Sequence, residues 1–390
     1  MGLSPVTRYA ARYAEILDSF RSFVRRELEP LGRQSGVAVG EPVPADLRSF
    51  VRERSARLGF YAAEYPEHAG GQNLPFAAKT LLYELAESTG CPLAPQALCG
   101  PAGPSPLLLH ATEEQRERWL RPLVAGTTTR CLAVTEPAGG SDVTGTSSTA
   151  TPEDGGWRLR GSKCFVSNAH EAELVLVLVR LTTATGDRVP VIFVLAADHP
   201  GVVIGPPRPG LGEDLLCDVF LDDVLAGDDA LLGGRAAIGS HQGWITRALA
   251  RGRVVVAATS NGIAARALAL GVEFTRTRRS LGAPIGSHQH VQEHVVASRL
   301  ELEGARLLTL AAAEDLDDGD AAVEQASLAK LAATDGACRT VDRMFQVHGA
   351  TAWLRGHPLE YLYRHARAAR LVEGTSEVQK VILAAAEGLS

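Results

Sequence analysis

The chain is predicted to be an α+β protein, mainly α, with a helical N-terminal domain, a middle β-barrel domain and a C-terminal four-helix bundle. Three observations predict this. Up to about residue 128, apolar residues recur at helical spacing. After Arg130 short apolar or alternating runs sit between Gly, Asp and Pro clusters, and past Gly239 the helical period returns and stays. The expected boundaries are 1–128, 129–237 and 238–390, consistent with about 150 residues per domain in a chain of 390.

In the first segment, Tyr9, Tyr13, Ile16, Leu17, Phe20 and Phe23 place one helix over Val6–Leu28, ending before Pro30. Ala45–Leu58, Ala77–Ser88 and Glu113–Val124 carry the same period. Between them, Pro92, Pro95, Pro101, Pro104 and Pro106 make Cys91–Pro106 a loop. The expected strands are Cys131–Thr135, Trp157–Val166, Leu174–Arg180, Val189–Leu195 and Val219–Val224; without intervening helices they suggest a small antiparallel sheet or barrel. The bundle takes Arg247–Phe274, Gln289–Glu314, Ala321–Val347 and a last helix from about Glu360 to Glu387. The acidic stretch Asp315–Asp320 misses the spacing of a calcium loop and reads as a solvated turn between helices.

Hydrophobic residues are 45% and charged residues 22%, which excludes a disordered or fibrous chain. A net charge of −6 offers phosphate backbones no general attraction, so no nucleic-acid partner is expected. The basic groups Arg276/Arg278/Arg279 and Arg364/Arg367/Arg370 read mainly as solvated helix faces or ion pairs. Six scattered cysteines without a CxxC pair read as reduced thiols. Charges run through Met1–Phe20, unlike a signal peptide, and no run of 18 apolar residues is found, so no spanning helix is expected. A cytoplasmic protein without a membrane partner is expected.

Several motifs carry no chemistry. Gly210-Leu-Gly212 lacks the third glycine of a dinucleotide fingerprint. His288, His290, His294 and Glu293 are close in sequence, but no further ligand group accompanies them, so no metal is expected. Three other segments are more informative. Cys131-Leu-Ala-Val-Thr-Glu-Pro-Ala-Gly-Gly-Ser-Asp142 leaves a strand into a glycine turn, where backbone amides and the Ser141 hydroxyl suit an anion or an ordinary β-turn equally. In Gly161–Asn168, Phe165 and Ser167 alternate onto one face, as in a half-buried strand or beside a flat heteroaromatic ring. In Arg370-Leu-Val-Glu-Gly-Thr-Ser376, Glu373 follows two apolar residues at a helix break. A carboxylate in apolar surroundings has a raised pKa and suits a general base; the plainer reading is a surface glutamate near a helix N-terminus.

Together these segments resemble the acyl-CoA dehydrogenase family of flavoproteins over nearly the whole chain. Tyr65-Pro-Glu-His-Ala-Gly-Gly71 resembles the family's Pro-Glu-x-x-Gly-Gly turn, and Thr112-Glu-Glu-Gln115 with Trp119 and Leu123 its next marker. Thr135-Glu-Pro-x-x-Gly-Ser-Asp142 is its specific signature. Arg253, Gly262, Arg278, Gly282, Gln289, Gln346, Gly349 and Glu373-Gly-Thr375 complete the ordered series. The resemblance implies FAD as cofactor, an acyl thioester substrate on coenzyme A or a carrier protein, an electron-transfer flavoprotein or similar acceptor, and a homo-oligomer, a tetramer or dimer. Carried over by position, Leu132, Thr135, Gly140, Ser141, Phe165 and Ser167 would hold flavin and pyrophosphate. Arg278, Gln289, Gln346, Gly349 and Thr375 would hold the adenosine diphosphate part, and Ser141, Arg253 and Gly374 would meet the substrate. Glu373 matches the base that removes the α-proton while the β-hydrogen leaves as hydride.

Some family members place the base immediately before the arginine matching Arg253, but here that position is Gly252. Other departures are Ala350 and Ala352, whose methyl groups would crowd the adenosine, His365 where an acidic residue is usual, and the prolines of Cys99–Pro106 in the family's pocket-lining helix, which suggest an atypical acyl chain. The competing reading is other flavin chemistry on the same fold, an oxidase or hydroxylase using O₂. Glu373 argues against it, because nitroalkane oxidases resembling the family use Asp and the hydroxylases generally lack the base.

Overall fold

The computed structural model describes residues 5–143, 145–183 and 186–389; Met1–Ser4, within the stretch searched for a signal peptide, lie outside them. The first helices are α1 (Pro5–Arg12), α2 (Ala14–Phe23) and α3 (Glu29–Ser35), so helix continues through Pro30 instead of stopping before it. The reason lies at Val24–Leu28, which is wound as a π turn with the Glu29 N–H bonded to the Val24 carbonyl. That wider turn shifts the ladder just where proline has no N–H to give. Pro122 is absorbed the same way. The π turn Arg116–Leu120 links α6 (Glu113–Gln115) to α7 (Arg121–Val124), after α4 (Ala45–Arg57) and α5 (Phe76–Thr89).

The chain forms two compact units, one of Met1–Val43, Pro75–Pro95 and Leu249–Ser390, the other of Pro44–Leu74 and Gln96–Ala248. The second is built on a curled sheet of β1 (Arg130–Ala133), β2 (Thr149–Glu153), β3 (Gly156–Ser167), β4 (Leu174–Thr182), β5 (Arg188–Ala196), β6 (Val202–Ile204), β7 (Arg208–Pro209) and β8 (Leu215–Ala226). Its order is β1-β4-β2-β3-β8-β6, with β5 on β4 and β7 on β8. The sheet is mixed, not purely antiparallel. Both β1 and β2 run parallel to β4, against Leu174–Val177 and Arg180–Leu181 respectively. The connection from β1 to β4 contains the β2–β3 hairpin, which is long enough for a parallel crossover. Trp157, Leu159, Val177, Val179, Phe193 and Val219 fill the core beneath.

At the end of this unit His241 is fully buried, and its Nδ1 accepts the Ile192 N–H at 3.0 Å. Burial, reinforced by His110, pushes its pKa down to about 4. A histidine whose folded pKa lies below the ordinary value near 6.5 stabilises fully above that value, and its contribution is lost as pH falls from about 6.5 to 4. The total is about 3 kcal/mol. His241→Gln should therefore flatten the acid side of the stability curve, measured as the difference between the urea midpoints of the two proteins from pH 7 to 4. Parallel curves would show that His241 is not the titrating group.

The other unit gathers α8 (His241–Thr277) from Leu249 onward, α9 (Gln289–Asp317), α10 (Val323–His348), α11 (Pro358–Ala369) and α12 (Ser376–Ala386), with the hairpin β9 (Arg279–Ser280) and β10 (Ala283–Pro284). Its core rests on small residues, among them Ala257, Ala312, Ala313, Ala329 and Ala333, which let helices approach closely. Asp317 does more than face water: its carboxylate accepts the Phe76 and Ala77 N–H groups at 2.6 and 3.0 Å and caps α5. The expected last helix is two, α11 and α12, separated by Arg370–Thr375. Contrary to the expectation that no spanning helix exists, α8 holds an 18-residue window that is long and apolar enough to cross a bilayer by length and composition; 61% of that window is buried inside the fold, as in a bundle's core helix.

Candidate active site

Within the sheet unit, the turn after β1 is tied to β3 by the Cys164 N–H, which donates to the Thr135 carbonyl at 2.8 Å. Glu136 and Gly139 bond each other's backbones and close the turn. Gly140 follows, where a Cβ would lie 2.9 Å from the Thr135 methyl, so the chain passes too close to Thr135 for a side chain. Gly140 and Ser141 are exposed, while Leu132 and Thr135 are half-buried.

Beneath this turn lies a buried ion pair that the motif does not announce. Lys163 is fully buried, and its ammonium donates to Glu136 Oε1 at 2.7 Å, to Thr146 Oγ1 at 2.7 Å and to the Val134 carbonyl at 3.1 Å. Glu136 also accepts the Ser147 and Ser148 N–H groups at 2.7 and 2.9 Å and the hydroxyls of Thr146, Ser147 and Ser148. Burial alone would raise its pKa, but the bonds from Lys163, Ser147, Ser148 and Thr146 outweigh that and hold it well below the ordinary carboxylate range. A lysine at an inward position of an alternating strand was the available signal, since a buried ammonium needs a partner.

Phe165 lies at an irregularity in β3, where the register with β8 shifts between Lys163 and Val166, and it takes a left-handed φ of 56°. The bulge turns the phenyl outward, 64% exposed, while Cys164 and Val166 are buried and Ser167 is half-buried. The Arg208 guanidinium stands 5.9 Å from its ring centroid. An exposed aromatic face beside a hydroxyl, on a strand tied to an exposed glycine turn, fits a flat heteroaromatic ring with an anionic tail.

Within the bundle unit, Glu373 sits in the turn between α11 and α12 with φ 54°, followed by Gly374 with φ 86°. Thr375 caps α12 by accepting the Val378 N–H on its hydroxyl. This consecutive left-handed pair breaks the expected long helix. The half-buried carboxylate lies directly over Gly252 of α8: a Cβ there would be 2.6 Å from Glu373 Cδ and Oε2. Arg253 is 6% exposed and donates to the Glu373 carbonyl at 3.3 Å. The carbonyls of Glu373 and Gly374 also accept from Gln379 Nε2 at 3.3 and 2.8 Å. Leu371 and Val372 do not wrap the carboxylate; they are 55% and 49% exposed.

The remaining predicted residues lie elsewhere in the bundle unit. Arg278, Gln289, Gln346 and Gly349 are all exposed, and Gln346 borders a hollow of about 350 Å³ lined also by Ser280, Leu281, His288 and His294. Of the two departing alanines, Ala350 is exposed, whereas Ala352 packs into the bundle core and presents no methyl outside. His365 Nδ1 lies 2.8 Å from the Tyr361 hydroxyl. In the sheet unit, residues 98–105 form no helix. Instead the Arg130 guanidinium and the Tyr65 hydroxyl donate to the Gly103 and Pro104 carbonyls at 2.7 and 2.9 Å.

Three family models match in order: acyl-CoA dehydrogenase, N-terminal domain over residues 11–127, middle domain over 131–224 and C-terminal domain over 241–388. The short-chain specific mitochondrial acyl-CoA dehydrogenase of Homo sapiens is 30% identical over 375 residues, covering 95% of this chain and 88% of that protein. The (R)-benzylsuccinyl-CoA dehydrogenase of Thauera aromatica is 33% identical over 338 residues, covering 84% and 81%. Among solved structures, butyryl-CoA dehydrogenase from Megasphaera elsdenii superposes with a TM-score of 0.83 at 26% identity over 99% of both chains.

Proposed function

Because this chain belongs to the acyl-CoA dehydrogenase family of oxidoreductases, we propose that it oxidises an acyl thioester to its α,β-unsaturated form with Glu373 as the base. FAD is the cofactor and supplies the hydride acceptor. The observation that carries the assignment is the Glu373 carboxylate, held in a left-handed turn over the bare backbone of Gly252. Glu373 takes the α-proton, the β-hydrogen leaves as hydride, and the pair of electrons left at Cα closes the double bond. An α-proton is only weakly acidic, so charge developing on the thioester oxygen needs hydrogen-bond donors.

On this reading Leu132, Thr135, Gly140, Ser141, Phe165 and Ser167 hold the flavin side, and Arg278, Gln289, Gln346, Gly349 and Thr375 the adenosine side, which a neighbouring subunit of a dimer or tetramer completes. Ser141, Arg253 and Gly374 serve the substrate. The acceptor is an electron-transfer flavoprotein or similar carrier, and the compartment is the cytoplasm. The proline-rich Cys99–Pro106 segment supports an acyl group other than a plain short chain.

An anaerobic titration of the visible flavin spectrum with acyl-CoA and acyl-carrier thioesters tests this. Bleaching by one class supports the assignment and identifies the carrier. Bound flavin that no thioester reduces would move it to an oxidase or hydroxylase. Efficient turnover of a plain C4–C8 series would remove the atypical acyl chain. Gly252→Ala should also slow bleaching, by up to about 100-fold with flavin retained, because its methyl would displace the carboxylate. Wild-type rates in that variant would mean Glu373 adjusts without loss.

A further inference from the structure

Lys330 lies on the buried face of α10, one turn from Ala326 and Ala333, and its side chain is fully buried. A buried ammonium is costly unless hydrogen-bonded or paired. Its Nζ donates to the Gly374 carbonyl at 2.5 Å, the same oxygen that Gln379 reaches from α12 at 2.8 Å. That oxygen belongs to the residue directly after Glu373, within the left-handed pair.

We propose that Lys330 is a positioning residue for the candidate base: its ammonium clamps the Gly374 carbonyl and keeps a positive charge beside Glu373, which favours the ionised, proton-accepting carboxylate. The inference rests on the assignment of Glu373 as base.

The charges facing Lys330 come from each neighbouring element. They are Glu373 in the turn, Arg253 on α8, Asp335 on its own helix and Glu377 on α12. Asp335 is engaged elsewhere, pairing with Arg370 Nε at 2.7 Å and accepting the Ser376 hydroxyl at 3.2 Å. Glu377 is exposed to water, which weakens its pull. Glu373 is the first of the charges acting on Lys330, and the attraction is reciprocal. Burial outweighs it and pushes the Lys330 pKa down to about 8, so the clamp keeps its charge through neutral pH and loses it in mildly alkaline solution.

Two variants separate charge from hydrogen bonding. Lys330→Met removes both, and Lys330→Gln removes the charge but keeps an N–H donor for Gly374. The readout is the acidic limb of kcat/KM against pH, using the thioester that bleaches the wild-type flavin, with bound flavin measured alongside. Both variants should move that limb upward by about one pH unit, since loss of a nearby cation raises a carboxylate's pKa. Lys330→Gln should recover part of the kcat lost in Lys330→Met. A limb unmoved in folded, flavin-loaded variants would overturn the inference while leaving Glu373 as base. If neither variant folds, Lys330 serves the bundle and the inference falls. A wild-type protein that no thioester reduces would instead refute the assignment of the base, and this inference with it.

Discussion

Glu373→Gln is expected to slow flavin bleaching by an acyl thioester roughly 10²- to 10⁴-fold, the usual worth of a general base, while flavin stays bound. The amide has nearly the shape of the carboxylate, so the left-handed turn at φ 54° and the packing over Gly252 should survive. The backbone bonds from Arg253 and Gln379 go to the Glu373 carbonyl, not to the side chain, and are untouched by the change. Binding and chemistry should therefore separate, with KM or ligand Kd little changed and the single-turnover rate collapsed. An unchanged bleaching rate would remove Glu373 from the chemistry. Equal loss of flavin and rate would make it a structural residue of the α11–α12 turn.

The helix–sheet–helix order, the long helices α8 to α10 and the strands β1, β3, β4, β5 and β8 are legible in the amino-acid sequence, because each is long or strongly periodic. The helix expected over Glu113–Val124 does run through Pro122, but the passage of helix through Pro30 was not foreseen. That depends on a π turn, a backbone winding that leaves no mark in side-chain periodicity. The parallel neighbours of β4 were equally hidden, because pairing partners are chosen by the whole sheet and not by any strand's own pattern. At the candidate site, alternation put Phe165 and Ser167 on one face, but the bulge that gives Phe165 φ 56° and turns it outward comes from the register with β8. Lys163 and Lys330 were readable only in part. Each sits at an inward position of its element, yet the partners that make burial tolerable, Glu136 and the Gly374 carbonyl, are distant in the chain.

Lys163→Met should destabilise the protein by about 3–5 kcal/mol, the cost of leaving one member of a buried ion pair alone, and should reduce flavin occupancy. Glu136 is 6% exposed and would keep its bonds to Thr146, Ser147 and Ser148, but those neutral donors cannot offset a full negative charge in the interior. It would take up a proton, and a protonated carboxyl gives one of its oxygens an O–H where the turn needs acceptors. The segment from Thr135 to Ser141 hangs on that carboxylate, so the turn proposed to face the cofactor should loosen first. Removing the charge from both sides tests the electrostatic argument against simple loss of packing. Lys163→Met combined with Glu136→Gln should recover part of the stability, since a neutral amide oxygen can still accept from the serine and threonine groups without a buried charge. Thermal unfolding followed by circular dichroism, with the ratio of flavin to protein absorbance, reads both quantities. A double variant no better than Lys163→Met would locate the cost in packing, and a single variant with full flavin and an unshifted midpoint would show that the turn does not depend on the pair.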